Sequence, residues 1–159
     1  MEEEDGGGGM PKPPIIRRAG MKDTDRIIEL VSELGRPEPK NEEEIKHFAK
    51  LIQNYISEKD KKMILVAEID SKVVGLISLV FLPRLNRSKP EAWIPDFIVD
   101  QEYRNKGIGR ELFKKCIRIA RKEKCWRIRL ETGLSRKRAQ RFYKKMEMKP
   151  FALAFMLSL

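Results

Sequence analysis

Apolar residues recur in the first third of the chain at the spacing of an α-helix. One group predicts a helix that begins at Asp23 or Thr24, either of which can cap it, and that ends at Gly35. The apolar residues of this helix are Ile27, Leu30, Val31 and Leu34. A second helix is predicted to begin at Asn41, because Glu44 follows three residues later as in a capping box. Its apolar stripe consists of Ile45, Phe48, Ala49, Ile52 and Ile56.

Apolar runs of strand length lie on both sides of these helices. They cover residues 15–19, 63–69 and 73–81, and Asp70-Ser71-Lys72 joins the last two in the pattern of an antiparallel hairpin. A basic, turn-rich loop follows over residues 83–90. Residues 92–99 are then almost continuously apolar, which predicts a strand that is covered on both faces.

The second half of the chain alternates between helices and strands. Helical spacing predicts a helix over residues 108–123, and strict alternation predicts a strand over residues 126–131. A strand, a helix and a strand in succession favour a right-handed crossover, which makes the strands at 92–99 and 126–131 parallel neighbours. A helix over residues 135–146 and a last strand over residues 151–157 complete the order β-α-α-β-β-β-α-β-α-β. The pattern therefore predicts an α/β fold.

The loop before the helix at 108–123 is basic and contains two glycines. Its sequence is Arg104-Asn105-Lys106-Gly107-Ile108-Gly109, and Arg110 follows. The N–H groups of a first helical turn have no intrahelical partner and the helix dipole is positive there, so such a loop can hold a pyrophosphate. The glycines would let the phosphate approach the backbone. The loop is neither a P-loop nor a three-glycine dinucleotide motif, and the alternative is an ordinary turn with solvated charges.

The composition is that of one globular domain. The chain has 159 residues, of which 41% are hydrophobic, and we predict a disordered tail over residues 1–14 and a single domain over 15–159. We find no apolar run long enough to span a membrane and no apolar region of a signal peptide, which favours a cytoplasmic protein without a membrane partner. Cys116, Cys125 and His47 lack the companions of a metal site, so we expect reduced cysteines and no metal.

The formal net charge of +10 favours a polyanionic partner. Nucleic acid, an anionic membrane surface and a phosphorylated cofactor all have the required charge. The basic residues are spread over the whole chain, and the aromatic-rich signature of RNA-binding sheets is absent, so we do not expect nucleic acid. A phosphorylated cofactor remains the favoured partner.

Two segments resemble the GNAT superfamily of N-acetyltransferases, and the similarity extends over about residues 15–158. Residues 98–110 resemble the segment that binds acetyl-CoA in this family, and Ala139-Gln140-Arg141-Phe142-Tyr143 resembles its Ala-x-x-Phe-Tyr helix. The resemblance implies a GNAT-like fold, with a mixed, mostly antiparallel, twisted sheet, a splayed central parallel pair and helices on both faces. Acetyl-CoA is expected to lie in the gap between the splayed strands.

The resemblance also implies roles for individual residues. Tyr143 matches the tyrosine that often protonates the departing CoA thiolate, although its place on the apolar stripe of the helix is equally typical of a core residue. The backbone N–H near Val99 matches the donor that polarises the thioester carbonyl. The residues expected to contact acetyl-CoA are Phe97, Ile98, Val99, Arg104, Asn105, Lys106, Gly107, Ile108, Gly109 and Arg110.

Within the superfamily, residues 132–143 resemble the branch of aminoglycoside and aminoalkylphosphonate N-acetyltransferases. This resemblance implies a small primary amine as the acceptor. The chain departs from the family pattern at Glu147-Met148, where many relatives have Gly followed by an aromatic residue, and at Arg136, where Asn is frequent. The first departure leaves the geometry of the turn after the tyrosine open.

Acetyl transfer needs a base for the amine proton, and Asp96 is the main candidate. It is an acid within an apolar strand, where an unpaired carboxylate is costly, and it can act directly or through water. The alternative is a structural carboxylate that is bonded to the backbone or to an arginine. Glu91, at the start of the strand, is a second candidate base.

Three functional classes agree with the sequence. The first is an acetyltransferase for a small amine, the second acetylates the N-terminus or lysines of proteins, and the third is a non-catalytic module that binds acyl-CoA or nucleic acid. The acceptor cannot be derived from the sequence, because the helices near residues 33–55 and the loop at 83–90 select it. The apolar segment 151–157 makes a homodimer one alternative for the assembly.

Overall fold

The computed structural model describes residues 12–34 and 37–159. Most of the predicted tail, residues 1–11, and the predicted helix end at Gly35 lie outside the described residues. The strands are β1 (Ile15–Arg18), β2 (Lys62–Ile69), β3 (Lys72–Leu82), β4 (Glu91–Trp93), β5 (Phe97–Val99) and β6 (Ile128–Arg129). The helices are α1 (Thr24–Ser32), α2 (Glu42–Ser57), α3 (Ile108–Lys122) and α4 (Lys137–Lys145). Short 3₁₀ turns precede α1 at Met21–Asp23 and follow β5 at Gln101–Tyr103.

The strands form one mixed sheet in the order β1-β2-β3-β4-β6, and β5 also pairs with β3. The β4–β6 pair is parallel and the other pairs are antiparallel, which confirms the predicted mixed, mostly antiparallel sheet with one parallel pair. The β2–β3 hairpin is confirmed as well. Its turn residues Asp70 and Ser71 have φ values of 48° and 63°, as a two-residue hairpin turn requires.

Helices cover both faces of the sheet. On one face α1 contributes the buried Ile27 and Leu30, which pack on Ile64, Leu76 and Ile98 of the strands. On the other face α3 contributes its buried side chains, and α4 adds partly buried ones. The buried residues of α3 are Ile108, Leu112, Phe113, Cys116 and Ala120, spaced along one stripe of the helix.

The cap of α2 agrees with the sequence prediction, whereas the cap of α1 does not. The Asn41 side chain accepts a hydrogen bond from the Glu44 N–H at 2.9 Å, and the Glu44 carboxylate accepts one from the Lys40 N–H at 2.7 Å. Asp23 precedes α1 but its side chain does not cap the helix. The Asp23 carboxylate is instead occupied by Arg17 and by the Gly20 N–H, because the 3₁₀ turn directs it toward β1.

The predicted strand at 92–99 is in fact two short strands, β4 and β5. Both pair with β3, but between them Ser78 and Leu79 of β3 lie opposite the three residues 94–96. This is a one-residue bulge, and Pro95, which has no N–H to donate to a ladder, lies within it. A strand that bends here cannot stay beside β6, so β6 has two residues rather than the predicted six.

The predicted last strand is wrong. Residues 151–157 adopt no strand in the described part of the chain and pair with no other strand. Leu153, Phe155, Met156 and Leu157 are each at least 80% exposed. Apolar alternation indicates a strand only if a sheet edge is there to receive it, and within this single chain the segment does not reach one.

Candidate active site

The bulge between β4 and β5 is the centre of the candidate site. The Ser78 N–H donates to the Asp96 carbonyl at 2.9 Å, and the Ser78 hydroxyl lies 2.9 Å from Asp96 Oδ2. The Asp96 N–H donates back to Ser78 Oγ at 3.0 Å. Three hydrogen bonds thus fix the backbone and the carboxylate of Asp96 to one serine on the neighbouring strand. Ser78 was not among the residues predicted from the sequence, because the pairing that brings it to Asp96 spans 18 positions.

From Asp96 onward, successive side chains of the strand point to opposite faces of the sheet. Asp96 and Ile98 lie on the face covered by α1 and α2, whereas Phe97 and Val99 lie on the face covered by α3 and α4. The predicted base and the predicted acid, Tyr143 on α4, are therefore on opposite faces. Ile98 is buried among core residues, so its side chain does not reach the face where acetyl-CoA was predicted.

On the α1–α2 face lies a cavity of about 290 Å³. Its walls include Val31 of α1 and Phe48, Leu51 and Ile52 of α2, and Asp96 is at its inner end beside Ser78. In α2, all of whose residues are described, no residue is fully buried. Of the predicted apolar stripe, Phe48 and Ile52 line this cavity, and Ile52 and Ile56 also pack against the buried residues on this face.

Tyr55 is the polar group of α2 nearest to the bulge. Its hydroxyl oxygen is buried, and no described residue gives it a hydrogen bond of good geometry. Burial raises the pKa of Tyr55 to about 12, while the nearby Ser78 hydroxyl opposes part of the shift and the charge of Asp96 adds to it. The cavity thus presents a protonated phenol and a carboxylate side by side. The sequence signal for Tyr55 was only its place on an amphipathic helix.

On the opposite face, aromatic rings surround Phe97. Its ring centroid lies 6.2 Å from that of Phe113, 5.6 Å from Phe142 and 6.3 Å from Tyr143. Tyr143 is half-buried beside this cluster. Burial raises the pKa of Tyr143, and the positive charge of Arg136 opposes part of this shift. The phenol therefore keeps its proton at neutral pH.

The strands on either side of the site separate at the bulge. The Ile94 N–H donates to the Arg129 carbonyl at 3.0 Å, and beyond that point the described residues show no bond between this strand and β6. The Asp96 carbonyl and the Asp100 N–H both bond to β3. Because backbone groups alternate sides along a strand, the N–H groups of Phe97 and Val99 point away from β3 into the gap. This gap agrees with the splay that was expected between the two parallel strands.

The glycine loop lies where β5 meets α3. Asn105 and Gly107 both have left-handed backbone conformations, with φ values of 61° and 79°. The Arg104 side chain donates from Nε to the Val99 carbonyl at 3.0 Å, which ties the loop to the end of β5. Arg138 of α4 donates to Asn105 Oδ1 at 2.8 Å, a contact that sequence analysis did not foresee. The loop is thereby fixed to the end of β5 and to α4.

Gly109 lies in the first turn of α3, next to the aromatic cluster. A β-carbon at this position would meet Phe142 at 3.6 Å and Phe97 at 3.7 Å, which are ordinary contact distances. The packing of the protein therefore does not require glycine here. Ile108 is buried in the core, so only its backbone faces the loop, whereas Lys106 and Arg110 are exposed at the N-terminus of α3.

Asp100 anchors the turn that leads from β5 into the loop. Its carboxylate accepts the Glu102 N–H at 3.0 Å and is paired with Arg26 of α1, and its own N–H donates to the Val74 carbonyl at 2.8 Å. Burial by itself raises the pKa of Asp100, but the Glu102 N–H and Arg26 outweigh it and hold the pKa below its ordinary value. This pairing between distant segments was not evident from the sequence.

Glu91, the second candidate base, is the first residue of β4. Its side chain is completely buried and is paired with Arg127 and Arg129. Burial by itself raises the pKa of Glu91, but the hydrogen bonds from the two arginines outweigh it and lower the pKa. A carboxylate with a lowered pKa is a weak base, so Glu91 is a structural link between β4 and β6.

The described residues contain no cluster of three or more His, Cys, Asp or Glu side chains that could hold a metal ion. None of the helices in residues 12–34 and 37–159 is long and apolar enough to cross a membrane. Cys116 and Cys125 are not bonded to each other, and burial raises the pKa of the Cys116 thiol to about 12.

Known proteins are similar to this chain in sequence and in fold. The profile of the Acetyltransferase (GNAT) family matches residues 27–148. An uncharacterized N-acetyltransferase of Methanocaldococcus jannaschii is 30% identical over 136 residues, and the match covers 85% of this chain and 60% of that protein. This chain therefore spans about 60% of the length of that relative.

Two solved structures have the same fold. A possible acetyltransferase from Clostridium difficile 630 has a TM-score of 0.77 and 25% identity, over 93% of this chain and 98% of that one. An aminoglycoside acetyltransferase from an uncultured soil metagenomic sample, solved in complex with sisomicin, has a TM-score of 0.75 and 19% identity, over 92% and 96% of the two chains. The family profile covers most of the chain, and the splayed sheet agrees with it. The chain therefore belongs to the Acetyltransferase (GNAT) family.

Proposed function

We propose that the protein transfers the acetyl group of acetyl-CoA directly to a primary amine. The observation that carries the proposal is the bulge at residues 94–96, beyond which the Asp96 side chain lines a cavity and the Phe97 N–H points into the gap beside β6. A donor in the gap and an acceptor in the cavity would meet at a single strand. Acetyl-CoA is the co-substrate of the family, which supports this assignment of the gap.

The residues around the gap fit acetyl-CoA. The first turn of α3 offers backbone N–H groups to the pyrophosphate, and Lys106 and Arg110 add positive charge. Gly109 leaves space that the protein does not need for its own packing. The N–H groups of Phe97 and Val99 can bond to the amide arm and to the thioester carbonyl, as added strands bond to a sheet edge. Arg104 is engaged with the Val99 carbonyl, so we assign it a positioning role.

In the proposed reaction the amine nitrogen attacks the thioester carbonyl carbon and the carbon–sulfur bond breaks. Asp96 accepts the proton that the amine loses, directly or through water. The N–H groups of the bulge strand stabilise the charge that develops on the carbonyl oxygen. Tyr143 donates its proton to the departing sulfur, for which its raised pKa keeps it protonated. The amide and CoA are the products.

A small molecule is the acceptor that we favour over a protein. The cavity is bordered by α1 and α2 and has a volume of about 290 Å³, which is the size of a small-molecule fragment rather than of a peptide groove. The resemblance to the aminoglycoside branch and the fold shared with an aminoglycoside acetyltransferase also favour a small amine. Acetylation of protein amines is the second candidate, and the exposed basic surface would favour acidic segments.

Two measurements test the proposal. Acetyl-CoA should raise the melting temperature, and CoA release should depend on an added amine. Asp96→Asn should lower kcat by about 10²-fold or more without weakening acetyl-CoA binding, since its side chain is on the acceptor face. Acetyl-CoA binding without turnover of any amine or peptide would favour the non-catalytic alternative, and a lack of stabilisation by acetyl-CoA would contradict the donor assignment.

A further inference from the structure

We propose that the acceptor is a small primary amine with one apolar substituent, either alkyl or arylalkyl, and that this substituent occupies the cavity under α1 and α2. The inference rests on the proposed acetyl transfer and adds the chemical class of the acceptor to it. In this arrangement the amine nitrogen lies at the inner end of the cavity, beside Asp96 and Tyr55. The substituent extends outward between Val31 and Leu51.

The walls of the cavity are hydrocarbon. Both helices that cover it contribute Ile, Val, Leu and Phe side chains, and the sheet beneath contributes Ile64 and Leu76. Leu51 lines the cavity and is nevertheless 50% exposed, so a ligand would bury surface that the protein leaves in contact with water. Each methylene group that a ligand buries strengthens binding by roughly fourfold. An apolar substituent therefore gains affinity in this space.

The charged lining of the cavity can match at most one ammonium group. The chain carries 34 Lys and Arg residues against 24 Asp and Glu residues, yet Asp96 is the one charged side chain among the described residues that line the cavity. This lining therefore supplies one negative charge, which is enough for at most one ammonium group. A second ammonium group would be transferred from water without a partner, which is strongly unfavourable. Polyamines and aminoglycosides are thus poor ligands for this space.

The size of the cavity limits the substituent. An apolar protein cavity of about 150 Å³ admits benzene, and this cavity measures about 290 Å³. It has room for a phenylalkyl group or a branched or linear alkyl chain. A phenethylamine or a hexylamine would fill the cavity, whereas a propylamine would leave part of its apolar wall in contact with water.

The experiment compares initial rates of CoA release with propylamine, hexylamine, phenethylamine, spermidine, kanamycin and a short peptide with an N-terminal Phe. We expect kcat/KM to rise by about tenfold or more from propylamine to hexylamine and phenethylamine, and to be lower for the polycations and the peptide. A flat series, or a preference for spermidine or kanamycin, would overturn the inference and leave acetyl transfer intact. A preference for the peptide would assign the site to protein N-termini instead.

A pair of variants on α2 ties the effect to the cavity. Leu51→Trp should fill the space and lower kcat/KM for phenethylamine by about tenfold, while propylamine changes by less than about twofold. Ile45→Trp is the matched control, because Ile45 is 43% exposed on the same helix and does not line the cavity. Equal effects of the two variants on both amines would contradict the assignment of the cavity.

Failure of the proposed acetyl transfer can be told apart from failure of this inference. If no amine is acetylated, the melting temperature of the CoA-bound protein is measured with phenethylamine and with propylamine. If phenethylamine stabilises the protein and propylamine does not, and if Leu51→Trp abolishes this effect while Ile45→Trp keeps it, the cavity is a binding site for apolar amines without transferase activity. Absence of that stabilisation would overturn the inference as well.

Discussion

Tyr143 is a half-buried phenol in an aromatic cluster, and its chemical role can be separated from its packing role. Tyr143→Phe keeps the ring beside Phe97 and removes only the proton that the departing thiolate would take. We expect kcat to fall by about 10²-fold or more, as for the loss of a general acid. The dissociation constant of acetyl-CoA, measured by calorimetry, should stay within about twofold.

Tyr103→Phe is the matched control for this variant. Tyr103 is a half-buried tyrosine beside the glycine loop, where Lys106 Nζ lies 5.2 Å from its ring centroid, and the ring is retained in the variant. Its kcat should match that of the wild type. An unchanged kcat in Tyr143→Phe would leave Tyr143 as a packing residue of α4.

Glu91 is a single residue whose ionisation should control stability in acid. Because its pKa is lowered in the folded state, it stabilises the fold above its ordinary pKa of 4.5, and that contribution is lost as the pH falls below this value. Melting temperatures between pH 7 and pH 3 should show this loss in the wild type. Glu91→Gln should lower the stability at pH 7 by about 2–3 kcal/mol and give a flatter curve in acid.

Glu111 provides the comparison for Glu91. Its carboxylate is 45% exposed and pairs with Lys114 at 3.4 Å on the surface of α3. Such a pair contributes little, so Glu111→Gln should change the stability by less than about 0.5 kcal/mol at pH 7. Similar effects of the two variants would mean that the buried arginine pairs of Glu91 do not stabilise the fold.

At the scale of elements, the N-terminus of α3 contains two glycines with different physical requirements. Gly109 has an ordinary helical backbone and space for a β-carbon, so Gly109→Ala should stabilise the free protein by about 0.5–1 kcal/mol. The same methyl group would stand where the pyrophosphate approaches. We therefore expect acetyl-CoA to bind about tenfold more weakly or worse, which calorimetry can measure.

Gly107 should respond in the opposite way. It has a φ of 79° with nothing near its would-be β-carbon, so Gly107→Ala should lower the melting temperature through backbone strain of about 1 kcal/mol. Tight binding of acetyl-CoA to Gly109→Ala would show that phosphate does not approach this turn.

The turn that ends α4, where the chain departs from the family sequence, is closed by two backbone hydrogen bonds. The Met148 N–H donates to the Tyr143 carbonyl and the Glu147 N–H to the Lys144 carbonyl, both at 3.0 Å, as in a Schellman motif. Glu147 has a φ of 66°, a conformation that favours glycine. Glu147→Gly should therefore stabilise the protein by about 0.5–1 kcal/mol in thermal unfolding.

Glu123→Gly is the control at the end of α3. Glu123 has a φ of −77°, so glycine relieves no strain there and should lower the stability. Destabilisation by Glu147→Gly would indicate that the glutamate side chain, rather than the backbone, fixes the turn after the predicted acid.

At the scale of the whole molecule, the exposed C-terminal segment supports the proposal that two chains associate. Contiguous exposed apolar residues are uncommon on a monomer, and β6 has an open edge in the described structure that an added strand can cover. We expect light scattering to give twice the chain mass of 18.6 kDa.

Charge introduced into this segment should prevent the association. Phe155 is 93% exposed within one chain, so Phe155→Glu should not disturb the monomer and should yield the monomer mass. Leu85→Glu is the control, because Leu85 is also exposed, and this variant should leave the dimer unchanged. Phe81→Glu is unsuitable as a control because Phe81 packs on the core. A monomeric wild type at micromolar concentration would contradict the proposal.

The sequence alone determined the features that depend on a few consecutive residues. Helical periodicity predicted α1 to α4, the Asp70-Ser71 turn predicted the hairpin, and the loop at residues 104–109 together with Phe142-Tyr143 indicated the family. Each of these signals is local, because helices, turns and helix termini are formed by hydrogen bonds between near neighbours.

Only the tertiary structure decided how the site is arranged. The bulge depends on the pairing of Ser78 with Asp96, and the assignment of Asp96 and Tyr143 to opposite faces follows from it. Likewise, the apolar stripe of α2 predicted the helix but not the cavity that Phe48 and Ile52 line, and the alternation in 151–157 predicted a strand that has no partner in one chain. Register, cavities and sheet edges depend on contacts between distant segments, and the pattern of one segment does not encode them.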